Sequence, residues 1–156
     1  MDIIRFLADG LLIIIVVSAI IIGIRGFRWR QWRSLLPIAV MAGLTSLLVG
    51  KLMSLVYQPS TVRPFIEHGV QAGAAYVNNP GFPSDHMLLV SAVLCAVYFL
   101  TPYRRLTMLL AVLAIVMGTA RVIALVHTPI DIFGGVAAGL VGAVWYVRLR
   151  RSAKEI

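Results

Sequence analysis

Five stretches of the chain carry no charge: Gly10 to Ile24, Ser34 to Gly50, Met87 to Tyr103, Leu106 to Ala120 and Ile132 to Val147. Each holds 15 to 17 residues, just under the roughly 20 that an α-helix needs to cross about 30 Å of hydrocarbon. The shortfall has a cause. Lys51, His86, Arg121 and Asp131 interrupt the runs, and the apolar pattern resumes beyond Lys51 and Arg121. Several spans therefore carry an ionisable residue near one end, where it must face protein or water. The first run opens only after Asp9. The pattern predicts an all-α integral membrane bundle of about five transmembrane helices, six at most, forming a single domain over residues 1–156.

Composition agrees with the pattern. Hydrophobic residues make up 60% of the chain and charged ones 13%, about half the charged fraction that keeps a soluble domain wet. The net charge of +8 does not point to nucleic acid, because the basic residues form short clusters between apolar runs and not one polar face. The lone Cys95 lies in an apolar run and excludes an internal disulfide framework. No cleavable signal peptide is evident.

The basic clusters set the orientation. Arg25, Arg28, Arg30, Arg33, Arg104, Arg105, Arg148, Arg150, Arg151 and Lys154 all fall on one side of a five-helix arrangement, which the positive-inside rule makes cytoplasmic. Trp29, Trp32, Trp145 and Tyr146 flank that side as expected interfacial anchors. This predicts a multi-pass protein of the cell membrane with its amino terminus outside and its carboxyl terminus cytoplasmic. The opposite, outer side receives Arg5, Lys51, Arg63 and Arg121, and all three histidines: His68, His86 and His127.

Two helix starts open on that outer face. In HTPID (127–131) Thr128 suits the cap, Pro129 the first helical position, and Asp131 the third. In GFPSDH (81–86) Ser84 suits the cap and Asp85 the positive helix end. Capping alone explains Ser84 or Asp131 taken singly. Together the two starts form anion-binding positions, each accompanied by an imidazole and approached by Arg63 or Arg121, whose guanidinium forks match phosphate oxygens. With no Cys cluster and few carboxylates, the set suits a phosphate better than a metal. Glu67 and His68 are expected on the loop surface, and Asn78 and Asn79 to form a turn only.

These stretches resemble the signature of the phosphatidate phosphatase type 2 superfamily, K-x6-R-P, then P-S-G-H, then S-R-x5-H-x3-D. Arg63 and Pro64 match the end of the first motif, Pro83, Ser84 and His86 the second, and Arg121, His127 and Asp131 the third. The motifs fall within 51–64, 83–86 and 121–131. Three positions depart: Asp85 replaces the glycine, Ala120 the serine, and Val56 stands where the lysine belongs, with Lys51 five residues earlier. Within the family the pattern is similar to that of bacterial undecaprenyl-diphosphate phosphatases.

The resemblance implies a membrane lipid-phosphate phosphatase that needs no cofactor or metal. It implies His127 as nucleophile through a phosphohistidine, Asp131 as its orienting carboxylate, and His86 as the acid and base for the leaving group. Arg63, Arg121, Lys51 and Ser84 are implied to bind the phosphate, with Asp85 modulating His86. A phosphatidylglycerophosphate or phosphatidate phosphatase, or a lipid-phosphate binder without activity, stays open, as does the oligomeric state. The glycines of the fifth helix, Gly134, Gly135, Gly139 and Gly142, suggest close packing, expected against the fourth span.

Overall fold

The structure, a computed structural model, describes residues 2–26 and 29–152. Arg28 and Lys154 lie outside the described residues, as do the side chains of Trp29, Arg30, Trp32, Arg150 and Arg151. Every regular element described is helical: α1 (Asp2–Arg5), a π-helical turn (Phe6–Gly10), α2 (Leu11–Gly26), α3 (Trp29–Val56), α4 (Pro64–Glu67), α5 (Asp85–Leu100), α6 (Arg104–Ile123), α7 (Pro129–Val141) and α8 (Val144–Ser152). Among the described residues four spans are long and apolar enough to cross a membrane: Ile3–Gly26, Arg33–Val56, Arg104–Ile123 and Pro129–Arg148. The apolar α5 is a shorter fifth. Large apolar side chains such as Ile13, Leu48, Ile115 and Phe133 are mostly exposed, the surface that a bilayer covers. The chain is a multi-pass helical membrane bundle.

The spans run past the residues that interrupt the apolar pattern. The first opens at Ile3 and passes through Asp9; the second passes Lys51, the fourth Arg121 and the last Asp131. At 1.5 Å per residue the 24-residue first span reaches about 36 Å. The expected boundaries were too short because charge does not end a helix whose charged group finds a partner. Asp9 and Arg121 partner each other, at 2.8 Å.

α5 is the central helix, packed by α2, α3, α6 and α7. Leu11 and Ile15 of α2, Met87 and Val90 of α5, and Ala114 and Met117 of α6 form one buried apolar cluster. α7 lies closest. A Cβ on Gly135 would strike the Ser84 carbonyl, and one on Gly139 would stand 2.6 Å from Ser91 Cβ and 2.7 Å from the Leu88 carbonyl. At the far end of α7, a Cβ on Gly142 would strike the Ala42 carbonyl of α3. There the fully buried Ser46 donates to the Gly139 carbonyl at 3.0 Å and accepts from Gly142 N–H at 3.2 Å. The small residues thus pack α7 against the third and second spans, not the fourth. Toward α6 the last span presents bulkier Ile132 and Val136, which line an apolar cleft of about 480 Å³ with Met87 and Gly118.

Tyr146 and Trp145 pack against the bundle. Tyr146 is buried and its ring stacks on Phe99 at 5.9 Å, while Trp145 Nε1 donates to Thr45 Oγ1 at 2.9 Å. Both hold α8 to the bundle. At this end Gly26 of α2 lies beside Thr101 and Tyr103, so the two arginine-bearing connections are neighbours. The other end of the bundle gathers Asp9, Arg63, His86, Arg121 and His127.

Candidate active site

The third motif is shaped by a reversal and a cap. After α6 the chain turns at Leu125, whose φ of 57° lies in the left-handed region. Its carbonyl accepts from Phe65 N–H at 3.0 Å, which docks α4 against the turn. Thr128 then caps α7 in the expected capping box: its Oγ1 accepts from Asp131 N–H at 3.4 Å, and Asp131 Oδ2 accepts from Thr128 N–H at 2.7 Å. That same Oδ2 stands 3.5 Å from His127 Nδ1. The length is at the outer limit of a hydrogen bond, and Nδ1 makes no bond of good geometry. Asp131 therefore acts on the ring by charge and orientation.

The second motif meets the other edge of the ring. Ser84 is fully buried, and its Oγ lies 3.3 Å from His127 Nε2 and caps nothing. Its N–H donates to the Asp131 carbonyl at 2.9 Å. The capping explanation thus holds for Thr128 and Asp131 and fails for Ser84. Burial pushes the His127 pKa below its ordinary value; the Asp131 carboxylate opposes this, and the positive charges of Arg121 and Arg63 add to it. A neutral imidazole whose proton sat on Nδ1, toward Asp131, would hold its lone pair at Nε2, beside Ser84 Oγ.

The two arginines are held differently. Arg63 Nε donates to the Asn79 carbonyl at 2.9 Å, and Nη2 to the Val77 carbonyl at 3.0 Å and Asn79 Oδ1 at 2.6 Å. Nη1 donates to the Val126 carbonyl, and the guanidinium lies 5.5 Å from the Tyr76 ring centre. Four of its five hydrogens are engaged by protein. Arg121 is 1% exposed; Nη1 bonds Asp9 Oδ1 and the Ala8 carbonyl, Nη2 the Ala75 carbonyl, and Nε has no protein partner.

A pocket of about 180 Å³ brings Arg63, Tyr76, Asp85, His86, Arg121 and His127 together. Lys51 does not line it. Lys51 lines an adjoining cavity of about 160 Å³ with Gln58, Asn79 and Asp85, so Asp85 belongs to both walls. Val56, in the family's lysine position, is 86% exposed. Gly81, at φ 110°, lies against Arg63 and His127, where a Cβ would meet both at 3.4 and 3.6 Å. Glu67, the last residue of α4, and His68, which follows it, are both exposed.

Two residues escaped the sequence reading. Asn79, expected only to form a turn, grips Arg63 with its carbonyl and side chain. Asp9, treated as a boundary before the first span, is the ion-pair partner of Arg121. A signal for Asp9 existed, since a lone carboxylate inside an apolar helix has to find a cation or water. Among the described residues no three His, Cys, Asp or Glu side chains are grouped to hold a metal ion. A neutral imidazole flanked by a carboxylate and a hydroxyl, facing two guanidinium groups, is suited to phosphoryl transfer.

The family model of the PAP2 superfamily matches residues 31–155. The chain belongs to the PAP2 superfamily. It is thereby a phosphoric ester hydrolase by family. Two relatives carry names. "Putative undecaprenyl-diphosphatase YbjG" of Escherichia coli (strain K12) is 30% identical over 140 residues, covering 89% of this chain and 68% of that protein. "Undecaprenyl-diphosphatase BcrC" of Bacillus subtilis (strain 168) is 27% identical over 129 residues, covering 82% and 64%. The chain thus spans about two thirds of the length of these PAP2 relatives. No solved structure matches it.

Proposed function

We propose that this chain hydrolyses a membrane lipid phosphate, a polyprenyl diphosphate of the undecaprenyl kind, to the monophosphate through a phosphohistidine on His127. The observation that carries the reading is the buried His127 ring, with Asp131 at Nδ1 and Ser84 at Nε2 and a pKa that burial lowers. Nε2 attacks the terminal phosphorus in line, and the bond to the bridging oxygen breaks. That oxygen departs on the lipid monophosphate with a proton from His86. Burial and Arg121 hold the His86 ring neutral, against the raised pKa expected from Asp85, until the substrate's phosphate charge is beside it. Water then attacks the phosphohistidine, giving a proton back to His86; the P–N bond breaks and inorganic phosphate leaves. Arg121, Arg63 and the amides at the start of α5 stabilise the equatorial oxygens. Asp85, at the edge of the pocket, tunes His86.

The diphosphate is supported by the names of both relatives. The apolar cleft between α6 and α7 begins at Met87 and Pro129, next to His86 and Thr128, and suits the tail of such a lipid. The loop charges support a site facing outside and a cytoplasmic carboxyl terminus. The test is phosphate release by purified protein in excess EDTA, across prenyl diphosphates and phospholipid monophosphates. Prenyl diphosphates should be preferred, and His127→Ala should lose several orders of magnitude. His86→Ala should spare an activated aryl phosphate, whose leaving group needs no proton. No release from any lipid, or release that depends on added Mg²⁺, would refute the reading.

A further inference from the structure

Asp9 is the carboxylate that this chemistry leaves unused. It lies in the π-helical turn of the first span, as that span's one carboxylate, outside the residues that the family model matches. A π turn inserts one residue into the helical frame and recurs at functional sites. Both carboxylate oxygens are engaged. Oδ1 accepts from Arg121 Nη1 at 2.8 Å, and Oδ2 accepts from the Ala75 N–H at 2.9 Å. Arg121 Nη2 closes the ring by donating to the Ala75 carbonyl at 2.9 Å, and Nη1 donates again to the Ala8 carbonyl at 3.3 Å. Three distant segments meet here: the first span, the loop before α5 and the end of α6.

The ring decides which hydrogens Arg121 can offer. Both Nη1 hydrogens and one of Nη2 are engaged, leaving Nε–H and the second Nη2 hydrogen. Nε is buried without a partner, in a side chain that lines the phosphate pocket. Adjacent Nε and Nη2 hydrogens form a fork that matches two phosphate oxygens. Ala75 also lines the pocket, so the same carboxylate fixes part of its wall.

We propose that Asp9 is a positioning residue for phosphate binding, holding Arg121 by its Nη edge so that the Nε edge meets the phosphoryl oxygens, and tying the Ala75 segment over the pocket. A role confined to compensating the buried charge of Arg121 would be met by any carboxylate nearby. Positioning would not be, because lengthening the side chain moves the guanidinium. The inference rests on the phosphate-site reading above.

The test compares Asp9→Asn and Asp9→Glu with the wild type in the full-length protein, reading KM, kcat, the inhibition constant of vanadate and Tm. Vanadate takes a five-coordinate form like the transition state and probes the site without a lipid tail. Asp9→Asn should weaken vanadate at least tenfold and raise KM with a smaller change in kcat. Asp9→Glu, which keeps the charge, should keep Tm within a few degrees and still weaken vanadate at least threefold. In an Arg121→Ala background Asp9→Asn should add no further loss. Wild-type vanadate affinity in Asp9→Glu overturns the proposal, also where Asp9→Asn fails to fold; so do additive losses in the double variant. A wild type that neither hydrolyses lipid phosphate nor responds to vanadate would instead remove the phosphatase reading itself.

Discussion

Gly135→Ala probes how far the site depends on backbone contact between α7 and α5. The added methyl would overlap the Ser84 carbonyl and stand 2.9 Å from Met87 Cβ and 3.1 Å from Leu88 N. Ordinary contact begins at 3.4 Å, and none of these atoms is the free end of a flexible side chain. The helices must therefore part by about 1 Å. Ser84 is fixed to α5 through Leu88 N–H, at 2.9 Å, and to α7 through the Asp131 carbonyl, also at 2.9 Å. Parting the helices strains these bonds and pulls Ser84 from the His127 ring, now 3.3 Å away.

Overpacking of this kind costs about 1–3 kcal/mol of stability, whereas a misplacement of about 1 Å in a catalytic group costs about 10²-fold in rate. Activity should then fall far more than the folded fraction. The assay is kcat/KM from phosphate release, beside thermal unfolding. Gly43→Ala serves as control, since a Cβ there meets nothing within 4 Å. A Gly135→Ala protein with kcat/KM within about twofold of wild type would refute the argument, because the 10²-fold expectation rests on that displacement.

Lys51→Ala should weaken turnover by an amount worth about 1–3 kcal/mol if the lysine reaches the phosphate from its adjoining cavity; full activity would assign it to the membrane interface. Arg63→Ala should cost more, since it also releases Val77 and Asn79. The pKa of His127 is lowered, so if its ring is the nucleophile, the acid limb of kcat/KM assigned to it should fall below the ordinary histidine value of about 6.5. Stability follows the same sign: as pH falls through about 6.5 the unfolded chain takes up a proton that the folded one resists, so unfolding is favoured until the folded pKa is passed. A His127→Gln protein that keeps the full acid loss of stability would refute the assignment. Cysteine at Asn79 but not at Arg105, each in a Cys95→Ala background, should react with an impermeant thiol reagent from outside; the reverse labelling would invert the topology.

Much of the fold was legible because a bilayer leaves a helical bundle few alternatives, and 60% hydrophobic composition divided by charged loops gives the spans directly. Their ends were not legible, because Asp9 and Arg121 look like breaks until they are seen to pair. The face on which α7 packs was also hidden. Glycine spacing shows that a close neighbour exists, but not that α5 supplies it. The start of α7 was legible because Thr128, Pro129 and Asp131 follow the order of a capping box, and the structure holds that box.

The division of labour between the arginines is the part that motif spacing could not reach. In the sequence Arg63 and Arg121 look like equivalent phosphate ligands. In the structure Val77, Asn79 and Val126 engage four of the Arg63 hydrogens, leaving one on Nη1. Arg121 keeps two, on adjacent nitrogens. What separates them is the backbone carbonyls that compete for guanidinium, and carbonyls carry no signature in a sequence. Three free guanidinium hydrogens are few for the charge spread over the phosphoryl oxygens in the transition state. On the proposed mechanism the first amides of α5, beside Ser84, would supply the rest, since no helical carbonyl can satisfy them. By the same mechanism the Ser-Asp-His segment opens α5 for a reason beyond capping: the helix end would itself be a phosphate ligand.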